Sequence, residues 1–227
     1  MFKNLDASSF NYNSAFYQKE FEKVLLGVIM CYNCINLSEV SLPNDENKIR
    51  DIMLDNYLKV DSFKRAHSNL ANYHFDYETV ENRGRADIRI LPINPYLGDK
   101  AYYIIECKRL DNKNTNGISG LNAEYVKNGV CRFVTDYYSS YFSINGMIGF
   151  VVEGIDIDGN RHHINSFFYR DLTNNRKEQV NASTIQKMER IAINPDFKYS
   201  YTSKHRLSDQ NEMVLYHLMF DFSKNMQ

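Results

Sequence analysis

A chain of 227 residues, 43% hydrophobic and 24% charged, suits one globular domain with a real core and excludes a disordered or fibrous chain. Its net charge of −1, from 27 Lys+Arg against 28 Asp+Glu, excludes a generic polycation, so any nucleic-acid contact must come from a local basic patch. The apolar run at 24–30 is too short to span a bilayer, the opening Met-Phe-Lys-Asn-Leu-Asp lacks the basic start of a secretory leader, and the cysteines fit a reducing cytoplasm.

In chain order, residues 15–35 read as an amphipathic helix, with Phe21, Val24, Leu25, Val28 and Ile29 on its apolar face. Cys31 and Cys34 fall inside it and read as buried structural thiols, since no second Cys or His pair stands at zinc-finger distance. A second helix is expected over 45–59, with Asn44 or Asp45 as N-cap and Ile49, Ile52, Met53 and Tyr57 at helical spacing. Alternation over 72–81 predicts a strand, and strands at 86–91 and 101–108 follow, joined by the Pro- and Gly-bearing stretch 92–99. A helix is expected near 120–138, then a strand over 146–153 whose unbroken apolar run indicates cover on both faces. Beyond residue 154 a helix near 181–192 and strands near 198–206 and 212–222 complete the expected order. No repeat, low-complexity tract or linker interrupts the chain, so a single domain is expected over 1–227.

Two segments carry chemistry: Gly-Arg-Ala-Asp-Ile-Arg-Ile at 84–90 and Tyr-Tyr-Ile-Ile-Glu-Cys-Lys-Arg-Leu at 102–110. Strand side chains alternate, so Glu106 and Lys108 point to one face. With Asp87 on the preceding strand, they can form a metal site with an ammonium beside it. Phosphodiester hydrolysis passes through a dianionic five-coordinate phosphorus, and such a site supplies concentrated positive charge and an activated water. Carboxylate oxygens are the hard ligands that Mg²⁺ prefers.

An α-β-β-β-α-β order with Asp on one strand and Glu-x-Lys ending the next resembles the PD-(D/E)XK nuclease superfamily. The resemblance rests on Asp87 and Glu106-Cys107-Lys108, with Gly84-Arg85 before the aspartate, and covers residues 45–152. Ala86 stands where the literal pattern has proline. It implies an α/β, restriction-endonuclease-like core with a mixed central sheet flanked by helices, followed by a C-terminal α+β extension over 153–227. It further implies a Mg²⁺-dependent endonuclease, with Mn²⁺ able to substitute, acting on DNA rather than RNA in restriction, phage defence or mobile-element processing. Asp87, Glu106 and the backbone carbonyl of Cys107 would hold the metal. Lys108, its pKa lowered beside a divalent ion, would activate water or act as a cation on the phosphorane. The family's further acid, from the helix before the first strand, is assigned to Glu46, with plain dipole stabilisation of the helix start as the competing explanation and Glu20 or Glu22 as alternatives. Loss of a site carboxylate is expected to stabilise the protein by relieving repulsion.

A phosphate-facing rim is expected from Arg85, Lys127, Arg132 and Arg109, with Arg83 and Arg89 nearby. On the helix after the triad, one of Asn122, Glu124 and Tyr125 is expected to face the site. Arg161-His162-His163 reads as loop or edge strand, where adjacent histidines make a poor chelate. Ser203-Lys204-His205-Arg206 reads as a basic cluster able to form a DNA-contacting edge. No Walker-type or Gly-x-Gly-x-x-Gly loop is present. Cleavage of both strands would favour a homodimer. The rival reading is a binding or assembly subunit that keeps the fold without the chemistry, and a third is a metal enzyme on another substrate.

Overall fold

Pro43 and Asp45 punctuate the chain where the first helix gives way to the second, and the Asp45 carboxylate caps the new helix by accepting the Lys48 N–H at 3.0 Å. In the computed structural model, which describes residues 12–80, 83–93, 101–116, 118–135, 137–138, 141–173 and 183–227, these helices are α1 (Tyr12–Leu37) and α2 (Glu46–Met53). A π-helical turn (Leu54–Leu58) extends α2, and a short α3 (Asp61–Ala66) follows it. The opening residues, much of the 92–99 connection and Gly117 lie outside the described residues.

The strands are β1 (Tyr73–Val80), β2 (Arg85–Pro92), β3 (Tyr103–Leu110), β4 (Ile144–Val151), β5 (Ser183–Arg190), β6 (Ser200–Arg206) and β7 (Glu212–Asp221). Between β3 and β4 the chain runs through α4 (Leu121–Tyr125), a π-helical turn (Val126–Val130) and α5 (Cys131–Val134); α6 (Ile157–Thr173) follows β4. They build one seven-stranded mixed sheet in the order β1-β2-β3-β4-β7-β6-β5. The β3/β4 and β4/β7 pairs are parallel, and the remaining neighbours are antiparallel. The fold is thus mixed α/β, and strands from beyond residue 153 join the same sheet as β1–β4.

Helices cover both faces. Phe21, Val24 and Val28 of α1 and Ile49 of α2 pack with Tyr103, Ile105 and Cys107 of β3. On the opposite face, Tyr125, Val130 and Phe133 of the α4–α5 layer and Ile164 and Phe168 of α6 pack with Ile104 and Leu110. All eight residues of β4 are buried, as its unbroken apolar run predicts. Each fully buried large apolar side chain contributes about 1.5–3 kcal/mol.

Two expectations fail beyond residue 154. The helix expected at 181–192 is strand β5 where described, an edge strand whose alternating exposure places Ile185 outward and Met188 inward. The helix lies earlier, at 157–173, where the polar Arg161-His162-His163 run masked the spacing of Ile157, Ile164, Phe167 and Phe168. Those histidines are therefore helical, not loop or edge strand. His163 contacts Asn116 and lines a cavity of about 330 Å³ with Asn112, Thr115, Asp156 and Asn160. The helix expected to reach residue 138 ends at Val134.

Candidate active site

Asp87 reaches the site because the sheet opens there. The β2/β3 ladder begins at the Ile88–Ile105 pair, and two residues on from Ile105 the Cys107 N–H donates to Asp87 Oδ2 at 2.8 Å instead of to a strand carbonyl. On β1, the ladder to β2 skips the position of Glu78, which has a φ of 49°, a left-handed conformation unusual for a residue with a side chain. The two irregularities sit opposite each other, at Glu78 and Asp87. They turn a carboxylate that a regular strand would leave in the pleat toward the end of β3.

Glu106 and Lys108 emerge on one face of β3, as alternation requires. Glu106 is 0% exposed. Its Oε1 accepts from Lys108 Nζ at 2.8 Å and from Arg132 Nη1 at 2.5 Å, and its Oε2 accepts from the Tyr138 hydroxyl at 2.5 Å. Burial and the neighbouring Asp87 charge push its pKa up to about 7, against the opposing pull of Lys108 and Arg132. Lys108, 8% exposed, donates to Cys107 O at 2.6 Å, Glu106 Oε1 at 2.8 Å and Glu46 Oε1 at 3.0 Å. These three bonds use all three of its protons. Asp87 Oδ2 stands 3.8 Å away. Burial alone would lower the Lys108 pKa, but Glu106, Asp87 and Glu46 outweigh it and hold the amine above its ordinary range. Gly129 on the overlying helix sits close against Met147, whose Cε a Cβ there would approach to 2.5 Å.

Glu46 joins the cluster. Because Asp45 caps α2, Glu46 is free to point at β3, where Oε1 meets Lys108 and Oε2 accepts the Arg109 N–H at 3.0 Å. Glu20 and Glu22 lie elsewhere, bonded to Tyr73 and Tyr216 respectively.

The expected rim residues have varied partners. Arg85 is exposed, with its side chain 67% accessible and 3.3 Å from Glu78. Arg109 donates to Asn44 O at 2.9 Å and Asn44 Oδ1 at 2.8 Å, and Lys127 donates to Ile118 O at 2.7 Å. Arg89 pairs with Asp76, and Arg83 is exposed. Arg132 is committed inward, to Glu106 and to the Tyr138 oxygen at 3.0 Å. Asn122 bonds Asn160 and Thr115, Glu124 accepts from Asn128, and Tyr125 bonds His217 at 2.8 Å.

Two residues were not foreseen. Arg50, buried on α2, reaches Asp51 at 2.7 Å, Glu78 at 3.3 Å and Asp87 at 3.4 Å. It stands four residues after Glu46, hence on the same helix face, and that spacing was the available signal. Tyr138 follows the helix and carries no periodic signal. It is held by Arg83 N–H to Tyr137 O and by its own hydroxyl, 3.0 Å from Arg85 O.

The Ser203–Arg206 cluster is only half basic edge. Lys204 and Arg206 face outward, whereas Ser203 and His205 are fully buried. Ser203 Oγ lies 2.8 Å from both His205 Nε2 and His217 Nε2, and His217 Nδ1 lies 2.8 Å from the Tyr125 hydroxyl. Burial lowers the His205 pKa to about 3 and, with the His205 neighbour, drives that of His217 well below its ordinary value. Both rings are neutral, and no carboxylate takes part.

Among the described residues, no group of three or more His, Cys, Asp or Glu stands in metal-holding geometry. The oxygens of Glu46, Glu106, Asp87 and Cys107 converge instead on the Lys108 ammonium. That ammonium is a stand-in cation, and the donor set around it consists of hard oxygens suited to Mg²⁺ or Mn²⁺. No protein-family model, curated protein or solved structure matches this chain. No helix among the described residues is long and apolar enough to cross a membrane.

Proposed function

We propose that the chain is a Mg²⁺-dependent, restriction-endonuclease-like endonuclease that hydrolyses phosphodiester bonds in DNA. One observation carries the reading: carboxylates from α2, β2 and β3 and the Cys107 carbonyl surround a single cation at the end of β3. The run from α2 through three antiparallel strands, a crossover helical layer and parallel β4 supports the fold part of the proposal.

Asp87, Glu106, the Cys107 carbonyl and Glu46 would hold the metal. Once bound, a divalent ion supplies Lewis-acid stabilisation of the phosphate oxygens and a water of lowered pKa. The Cys107 amide fixes Asp87, and Tyr138 with Arg132 fixes Glu106. Lys108 would act on the phosphorane as a cation or orient the attacking water. Arg85, Arg109 and Lys127 would contact the DNA backbone.

The test is incubation of supercoiled and linear plasmid, single-stranded DNA and RNA with Mg²⁺ or Mn²⁺. Chelator-sensitive cleavage of DNA that Asp87→Ala abolishes is expected. Absence of cleavage, with DNA binding indifferent to chelator, would sink the reading and favour the inactive binding subunit. That second reading draws on the burial of Glu106 and on the occupation of both its oxygens by protein donors.

A further inference from the structure

Where the parallel strands β3 and β4 end, the segments that follow them enclose a cavity of about 330 Å³ that the charged cluster does not use. Its walls are tied to one another across segments. Lys113 pairs with Glu153 at 2.7 Å, Asn122 and Asn160 exchange amide hydrogen bonds of 2.6 and 2.9 Å, and His163 meets Asn116. The cavity is thus preformed, and its volume suits a small ligand.

The lining sets the chemistry of that ligand. It holds no lysine or arginine, and its one carboxylate is Asp156, so it disfavours a phosphate. Asn160 is 5% exposed and donates one amide proton to Asn122. Its second amide proton has no acceptor among the described residues, which leaves a buried donor at the cavity wall. The Asp156 carboxylate, folded back over Gly159, has no hydrogen-bond or ion-pair partner among the described residues. Ile155 and the His163 ring add apolar and aromatic surface. A matching ligand offers an acceptor to Asn160, a donor to Asp156 and a flat face to Ile155 and His163. A nucleobase has all three. Guanine matches best, because its Watson–Crick edge sets a carbonyl acceptor beside two N–H donors, and one carboxylate can accept both.

Asn112 of the lining stands four residues beyond Lys108, a separation of at most about 14 Å. A single strand can therefore occupy both the charged cluster and the cavity. Resting on the nuclease reading, we propose that this cavity is a base pocket that takes an unstacked guanine of the substrate strand and so gives cleavage a sequence preference. Unstacking costs least in single-stranded DNA, where the preference is greatest.

The experiment has a binding arm and a cleavage arm. Ligand-observed NMR measures binding of deoxyguanosine, deoxyadenosine, deoxycytidine and thymidine, which carry no phosphate for the charged cluster. Deoxyguanosine is expected to bind about tenfold or more tightly than the others. A Cβ at Gly154 meets no atom within 4 Å, so Gly154→Phe should fill the cavity without disturbing the fold, and it should abolish that binding. Asp156→Asn, at an exposed position, should remove the guanine preference. In the cleavage arm, mapped cuts of single-stranded DNA in Mn²⁺ should cluster near guanine for the wild type and not for Gly154→Phe. Equal binding of the four nucleosides, no binding, or binding that survives Gly154→Phe would overturn the proposal. Guanine-selective binding with a cut pattern that Gly154→Phe leaves unchanged would also overturn it, marking the cavity as a site for a free nucleoside. Guanine-selective binding without cleavage of any nucleic acid would uphold the guanine site and remove the nuclease reading.

Discussion

The Glu106 cluster and the His217 cluster both bury polar side chains under the α4–α5 layer, Arg132 reaching one and Tyr125 the other. The first is ionised, joins α2, β2, β3 and α5, and opens to the surface at Asp87 and Glu46. The second is uncharged and sealed, with Ser203, His205 and His217 all fully buried. One proton per link satisfies the neutral chain in either direction. A carboxylate cannot be satisfied that way, and Glu106 needs Lys108, Arg132 and Tyr138 together. Hydrogen bonding without charge suffices for cohesion between strands. A cluster that holds full charges at the mouth of a strand pair is suited to exchanging them with a ligand.

The largest expected effect separates the two clusters by activity. Lys108→Ala should abolish DNA cleavage, whereas Ser203→Ala should leave it intact in the same plasmid assay. Both should lose stability: about 3–5 kcal/mol for Lys108→Ala, which strands a buried carboxylate, and about 1–3 kcal/mol for Ser203→Ala, which strands ring nitrogens. Chemical denaturation checks both. Glu106 is paired with Lys108 and Arg132 and also repelled by Asp87, so Glu106→Gln tests directly the expectation that relief of repulsion stabilises the protein.

Opposite pH dependence sharpens the comparison. The His205 pKa falls from 6.5 to about 3 on folding, so below pH 6.5 the unfolded chain binds more protons and stability is lost as pH falls toward 3. The Glu106 pKa rises from 4.5 to about 7, so the folded chain binds more protons in that interval and stability is lost as pH rises through it. Each pKa unit is worth about 1.4 kcal/mol. Urea midpoints from pH 3 to 8 should show a flattened acid limb in His205→Asn and a flattened neutral limb in Glu106→Gln. Matching profiles in both variants would contradict the assignment of the two slopes.

Smaller effects come from the supports. Tyr138→Phe keeps the ring but removes the donor to Glu106 Oε2, and should cost about 1–3 kcal/mol in stability and 10–100-fold in cleavage rate. Arg85→Ala should cost under about 1 kcal/mol in stability, as for an exposed ion pair. It should weaken DNA binding across sequences and reduce the salt dependence by about one phosphate contact.

The chain order of Asp87, Glu106 and Lys108 and the alternation of β3 made much of the charged cluster legible, and Glu46 followed from its place at a helix start. Arg132 was visible as a cation but not as an inward one, because sequence does not say which way a partly buried arginine turns. Tyr138 was hidden in an aromatic stretch without period. The histidine network is hidden beneath the basic edge because Lys204 and Arg206 alternate with Ser203 and His205 on opposite faces of β6. Strand β5 is not legible as a strand because an edge strand with one buried apolar residue gives a weak period-two signal. Up to β4, where both faces are covered and apolar runs are long, the expected elements match those observed to within a few residues, apart from the short α3 and the earlier end of the helix before β4.

The most direct test is nicking of supercoiled plasmid in Mn²⁺ by the wild-type protein and by Lys108→Ala, with circular dichroism to establish that the variant is folded. Chelator-sensitive nicking by the wild type and none by a folded Lys108→Ala protein is the predicted result. Equal nicking by both, or none by the wild type, would contradict the assignment of the Asp87–Glu106–Lys108 cluster as a phosphodiester-cleaving site.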